Sequence, residues 1–125
     1  MLVEKELTQR ILACAYTVHS ELGPGLLEKT YEECLFYELR ENGLFVEKQK
    51  ELPLIYKGNI SIDIAYRIDL LIENKVILEL KAVELLTDVH TAQVLTYLKL
   101  SGCKIGFLMN FNVASLKNGI KRYIL

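Results

Sequence analysis

Two carboxylates and an amine, Asp69, Glu79 and Lys81, interrupt two otherwise apolar arms at residues 67–72 and 76–81. Arms rich in Ile, Leu and Val read as strands buried on a sheet. A buried strand gains nothing from a charge unless that charge is paired or binds something. Side chains alternate faces along a strand, so Glu79 and Lys81 share one face, and Val76, Leu78 and Leu80 the other. On the first arm the same alternation puts Arg67, Asp69, Leu71 and Glu73 on one face. With the turn centred on Asn74, Asp69 stands across from Glu79, and Arg67 across from Lys81. Two neighbouring carboxylates repel, and a divalent cation relieves that repulsion. The hairpin therefore predicts a hard-metal site for Mg²⁺ or Mn²⁺. A plainer arrangement of the same residues is a metal-free salt bridge from Lys81 to Asp69 or Glu79.

The flanking segments must position this hairpin. Leu7, Ile11, Cys14 or Ala15, Val18 and Leu22 recur at steps of three and four, which predicts a helix over about residues 3–22, ended by Gly23-Pro24-Gly25. A second helix is expected over 26–42, with Leu27, Tyr31, Cys34, Leu35 and Leu39 inward and Gly43 as its stop. Glu28 and Tyr31 share a face in its first turn. Without other information, Glu28 is a carboxylate favoured by the helix dipole, and Tyr31 packs in the core with its hydroxyl in water. Residues 46–56 form a long, partly polar strand in which Pro53 signals a bend or an edge. Lys57-Gly58-Asn59 turns the chain into strands over 60–72 and 76–83, completing an antiparallel meander.

A third helix, capped by Thr87 or Asp88, is expected to run to Leu100 and stop at Ser101-Gly102. Its inner stripe reads Val89, Gln93, Thr96, Tyr97 and Leu100; Gln93 and Tyr97 are neighbours, and a core Gln93 needs a partner, backbone being the ordinary one. His90 reads as a surface residue. A strand over 104–110, parallel to the third, a helical turn within 112–118 and a short strand over 121–125 close the chain. The order is α-α-β-β-β-α-β plus a short terminal strand: one α/β (α+β) domain, residues 1–125, with a mixed sheet flanked by helices.

Composition sets the remaining bounds. A 125-residue chain with 51% hydrophobic and 25% charged residues has the make-up of one globular domain. A net charge of −1 supplies no global basic field, so any grip on nucleic acid has to be local. Cys14, Cys34 and Cys103 form no CxxC pair and read as free thiols in a reducing cytoplasm. No apolar run approaches the roughly 20 residues needed to span a bilayer, and the charged start is no signal peptide.

Several stretches resemble the GxxExxY proteins, a bacterial and archaeal family grouped with the PD-(D/E)XK nuclease-like superfamily. These are Gly25-Leu26-Leu27-Glu28-Lys29-Thr30-Tyr31, Tyr66 to Leu71, Leu78 to Val83, Ala92 to Leu98, Asn110 to Val113 and Leu116 to Arg122. The resemblance covers essentially the whole chain from Leu7 onward. It implies a restriction-endonuclease-like core, in agreement with the element order read above. It matches Asp69 to the aspartate of the second core strand and Glu79 and Lys81 to the ExK of the third. Glu28 matches the helical acid that some members add as a metal ligand, and Gln93 and Tyr97 look like the QxxxY element of RecB-type nuclease domains. Tyr66-Arg67-Ile68 precedes Asp69 where the written motif has proline.

The implied activity is metal-assisted hydrolysis of phosphodiester bonds in DNA, with Asp69, Glu79 and Lys81 catalytic. Glu28, Asp69, Glu79 and the Leu80 carbonyl are the expected metal ligands. Tyr31, Arg67, Gln93 and Tyr97 are supporting residues or nucleic-acid contacts, and Lys29 is a further candidate phosphate contact. Small members of this fold often pair, so a homodimer is expected. Two other readings stay open: a non-catalytic nucleic-acid or protein interaction module, and a subunit active only with a protein partner.

Overall fold

Apolar steps of three and four wind the first segment into α1, Lys5–Leu22, and bury Leu7, Ile11, Cys14, Ala15 and Val18. Gly23, at φ 66°, ends it by donating its N–H to the His19 carbonyl. The computed structural model describes residues 4–125, apart from the side chains of 63–65. The expected helix start at Val3 lies outside the described residues.

The second helix, α2, spans Glu28–Glu41 and buries Tyr31, Glu32, Leu35 and Leu39. Then come β1 (Val46–Tyr56), β2 (Ile60–Ile72), β3 (Val76–Lys81), α3 (Asp88–Ser101), β4 (Ile105–Asn110), a 3₁₀ turn (Leu116–Gly119) and β5 (Ile120–Ile124). The five strands form one sheet in sequence order. β3 and β4 are parallel, as a crossover through α3 requires, and the other neighbours are antiparallel. One face packs on α1 and α2 through Leu70, Ile72, Leu78, Leu80, Phe107 and Met109. The other packs on α3 through Leu52, Ile68, Leu71, Ile77 and Leu108.

Four expectations need correction. Val46 and Leu52 on β1, and Ile68 and Leu70 on β2, are even numbers of residues apart, so an unbroken pleat would put each pair on one face. Instead each pair is split between the two cores. The change of face falls where Gln49 stands opposite Asp69: the paired register runs Lys48–Leu70, then Lys50–Ile68, and Gln49 has φ 51°. A left-handed residue turns the strand over. Asp69, Leu71 and Arg67 therefore do not line one face. Arg67 does not meet Lys81 either, since it pairs with Glu51 of β1 at 3.6 Å.

The inner stripe of α3 is also rotated from expectation. Val94, Tyr97 and Leu98 are buried, while Thr96 is exposed and Val89 is 75% exposed. Apolar residues lie all round this helix, so periodicity alone does not choose a face. The sheet chooses it: at Gly106 of β4 an added Cβ would stand 3.2 Å from Val94 Cγ1, so the missing side chain admits the helix closely. The third correction is His90, which is no idle surface residue. It is the third residue of the capping box at Thr87, and its Nδ1 accepts the Thr87 N–H at 3.1 Å.

β3 ends at Lys81, two residues sooner than expected. Beyond it the Asn110 side chain imitates a strand, donating Nδ2 to the Val83 carbonyl (2.9 Å) and accepting the Val83 N–H at Oδ1 (3.1 Å).

Candidate active site

The β2–β3 ladder pairs Ile72–Val76, Leu71–Ile77 and Leu70–Leu78. At the next position Asp69 replaces backbone with side chain: its Oδ2 accepts the Leu80 N–H at 2.9 Å. The two strands part here, and the gap is where the candidate side chains gather. Glu79 lies two residues beyond Ile77, which faces α3, and it is 3% exposed. Its Oε2 stands 3.3 Å from Lys81 Nζ, whereas Oε1 is buried with no hydrogen-bond donor among the described residues. Burial, and then the Asp69 charge, push the Glu79 pKa up to about 8, although Lys81 pulls it down.

Glu28 enters from the N-terminus of α2. Partial desolvation raises its pKa, Lys81 opposes that, and the Asp69 charge adds to it; the Ala82 N–H also favours its charged form. From α3, Gln93 Nε2 donates to the Tyr97 hydroxyl at 3.0 Å, so the partner of Gln93 is Tyr97 rather than backbone. Burial is the main cause of a raised Tyr97 pKa; the Gln93 bond opposes it, and the charges of Glu79 and Asp69 add to it. Leu80 contributes backbone only, its side chain being fully buried in the α1–α2 core.

Two sequence expectations do not reach the site. Tyr31 is 0% exposed, its ring stacked on Phe111 with centroids 4.7 Å apart. Its hydroxyl donates to the Gly23 carbonyl at 2.6 Å and accepts the Leu26 N–H at 3.2 Å, so it is neither wet nor able to touch nucleic acid. It supports the site by holding the loop that delivers Glu28. Arg67 lies apart from the acids, on the exposed β1–β2 pair with Glu51.

Four residues escaped sequence reasoning. Glu32 is 4% exposed, with Oε2 paired to Lys29 Nζ at 2.7 Å and Oε1 accepting Gln49 Nε2 at 2.6 Å. Gln49 Nε2 also reaches Asp69 Oδ1 at 3.2 Å. Polar residues on every side of Gln49 concealed it in what reads as a solvated strand. Asn110 and Asn112 tie the parts together: Asn110 holds Val83, and Asn112 Oδ1 accepts the Gly25 N–H at 3.1 Å. Their signal was present in the Asn110-Phe111-Asn112 segment, where an amide at the end of an apolar strand and another just beyond it had no role assigned.

The donor set suits a hard cation. Asp69 and Glu79 offer only oxygen, and one buried Glu79 oxygen has no donor. Among the described residues, no three His, Cys, Asp or Glu side chains already stand as a ready metal cluster. A pair of carboxylates is nonetheless enough for an ion that keeps several waters, as Mg²⁺ does.

An antiparallel meander, a crossover helix and a parallel strand, with the acids and lysine where two strands part, define a restriction-endonuclease-like PD-(D/E)XK fold. Over residues 5–123 the chain matches the sequence model of the PD-(D/E)XK nuclease superfamily, and it belongs to that superfamily. No curated protein and no solved structure gives a significant match.

Proposed function

We propose that this chain is a metal-dependent nuclease, hydrolysing phosphodiester bonds in DNA through Asp69, Glu79 and Lys81, and that it falls in the GxxExxY group of its superfamily. The observation that carries the reading is the Glu79 carboxylate, buried beside Asp69 with one oxygen on Lys81 and the other without a donor. Without metal, Glu79 avoids a second buried charge beside Asp69 by holding a proton that it shares with that carboxylate; a bound cation takes the place of the proton and accepts both acids in their charged form.

Asp69 and Glu79 would hold Mg²⁺ or Mn²⁺, with Glu28 and the Leu80 carbonyl as further oxygen donors. Such an ion lowers the pKa of its water and stabilises charge on the phosphate. Lys81, only slightly exposed, holds a positive charge next to Glu79 and offsets charge growing on the phosphorus. Gln93 and Tyr97, bonded to each other, orient the acids or a strand of DNA from the α3 side. Arg67 is exposed and held by a surface pair worth little, so it exchanges its carboxylate for a phosphate at small cost; Lys29, exposed but paired with the buried Glu32, contacts a phosphate while keeping that pair. The reading includes a homodimer in which two copies share the hold on a duplex.

Calorimetric titration with Mn²⁺ and Mg²⁺ in the millimolar range tests this reading. The parent is expected to bind, and Asp69→Asn to lose the heat signal. A parent that binds neither ion contradicts it and favours a non-catalytic interaction module.

A further inference from the structure

We infer that Gln49 is a positioning residue: a left-handed kink in β1 delivers its side-chain amide between Glu32 and Asp69 and fixes the Asp69 carboxylate against the Leu80 N–H. Five non-glycine residues among those described have positive φ. Glu4 stands at the start of α1, Lys57 in the β1–β2 turn, and Glu73 and Asn74 in the β2–β3 turn. Gln49 alone sits inside a strand, at φ 51°, with paired residues on both sides. A glutamine has no intrinsic liking for that conformation, which persists only where its surroundings over-determine it.

The surroundings here are two carboxylates. Gln49 Nε2 carries two hydrogens, and two acceptors lie within reach: Glu32 Oε1 at 2.6 Å and Asp69 Oδ1 at 3.2 Å. Its orientation is set by chemistry, because turning the amide over would aim its oxygen at both anions. Each acid is secured at its second oxygen too, Glu32 by Lys29 (2.7 Å) and Asp69 by the Leu80 N–H (2.9 Å). The result is a continuous link, Lys29–Glu32–Gln49–Asp69–Leu80, across α2, β1, β2 and β3. A lysine at position 49 would orient Asp69 equally well but would cancel the negative charge a cation needs. A neutral amide orients it and leaves the charge in place. The kink also turns β1 over at this point, so strand reversal and amide delivery are one device.

The effect on metal and DNA rests on the nuclease reading above; the effect on Asp69 geometry does not. Two variants separate them. Gln49→Gly removes the amide and adopts the left-handed backbone without a Cβ penalty, so the kink in β1 is kept while the link is cut. Gln49→Asn tolerates the same backbone and keeps an amide, but is one methylene too short to bridge the two acids. The first readout is metal-free: amide hydrogen exchange at Leu80, with Leu98 in α3 as internal control. Both variants are expected to speed Leu80 exchange about tenfold and leave Leu98 unchanged. The second is Mn²⁺ affinity, expected to weaken about tenfold to a hundredfold, with kcat on DNA falling alike and KM for DNA unchanged. Parent-like Leu80 exchange in both variants overturns the inference. Should the parent neither bind metal nor cleave DNA, the nuclease reading fails, and Leu80 exchange alone still decides the role of Gln49.

Discussion

Glu79 is the residue on which the proposed chemistry turns, and its protonation makes a claim about stability. The ordinary pKa is 4.5 and the folded value about 8. Between those values the folded chain holds its proton while the unfolded chain has released it. The resulting stability is fully present below about pH 4.5 and is lost as pH rises through about 8 in the metal-free protein. Glu79→Gln is neutral at every pH and copies the protonated form. In metal-free buffer, thermal melts of parent and Glu79→Gln are therefore expected to coincide near pH 4, with the variant melting higher at pH 9. Saturating Mg²⁺ at pH 9 is expected to raise the parent and not the variant. A parent that melts as high as Glu79→Gln at pH 9 without metal contradicts the buried, donor-free carboxylate.

The elements around Glu79 can be tested by what each one buries. Because α3 turns Val94 and not Val89 toward the sheet, Val94→Ala is expected to cost about 2 kcal/mol in chemical denaturation, and Val89→Ala less than about 0.5 kcal/mol. Equal costs would restore the stripe read from spacing. Asn110→Ala removes both side-chain bonds that continue β3 past Lys81 and is expected to cost about 2 kcal/mol. It is also expected to speed exchange of the Val83 amide; unchanged exchange there would refute the lash. Most of the architecture was legible beforehand because its signals are local. Gly23, Gly43 and Gly102 stop helices, Lys57-Gly58-Asn59 turns a hairpin, and a short, nearly continuous apolar run marks β3. Asp69, Glu79 and Lys81 were legible because charge inside an apolar run is conspicuous. The face of α3 was hidden because its apolar residues ring the helix. The turnover at Gln49 was hidden because a left-handed glutamine leaves no mark in composition, and it is recognised only once Glu32 and Asp69 stand on either side of it.

At the scale of the whole molecule, a near-neutral chain brings two acids, a lysine and a link of buried polar groups to the place where a five-stranded sheet opens. No helix among the described residues is long and apolar enough to cross a membrane. With a net charge of −1, the attraction to a polyanion that the proposed function requires would rest on exposed cations, Lys29 on α2 and Arg67 farther out on β2 among them. The superfamily is settled by the match over residues 5–123, and the activity is what the site geometry supports. The most direct test is a cleavage panel in Mg²⁺ and in Mn²⁺, using linear, nicked, branched and single-stranded DNA together with RNA, and Glu79→Ala purified in parallel. The expected result is metal-dependent cleavage of DNA by the parent, reduced about a thousandfold or more in the variant. Equal cleavage by both proteins, or none by the parent on any substrate in either metal, would contradict a nuclease built on Asp69, Glu79 and Lys81.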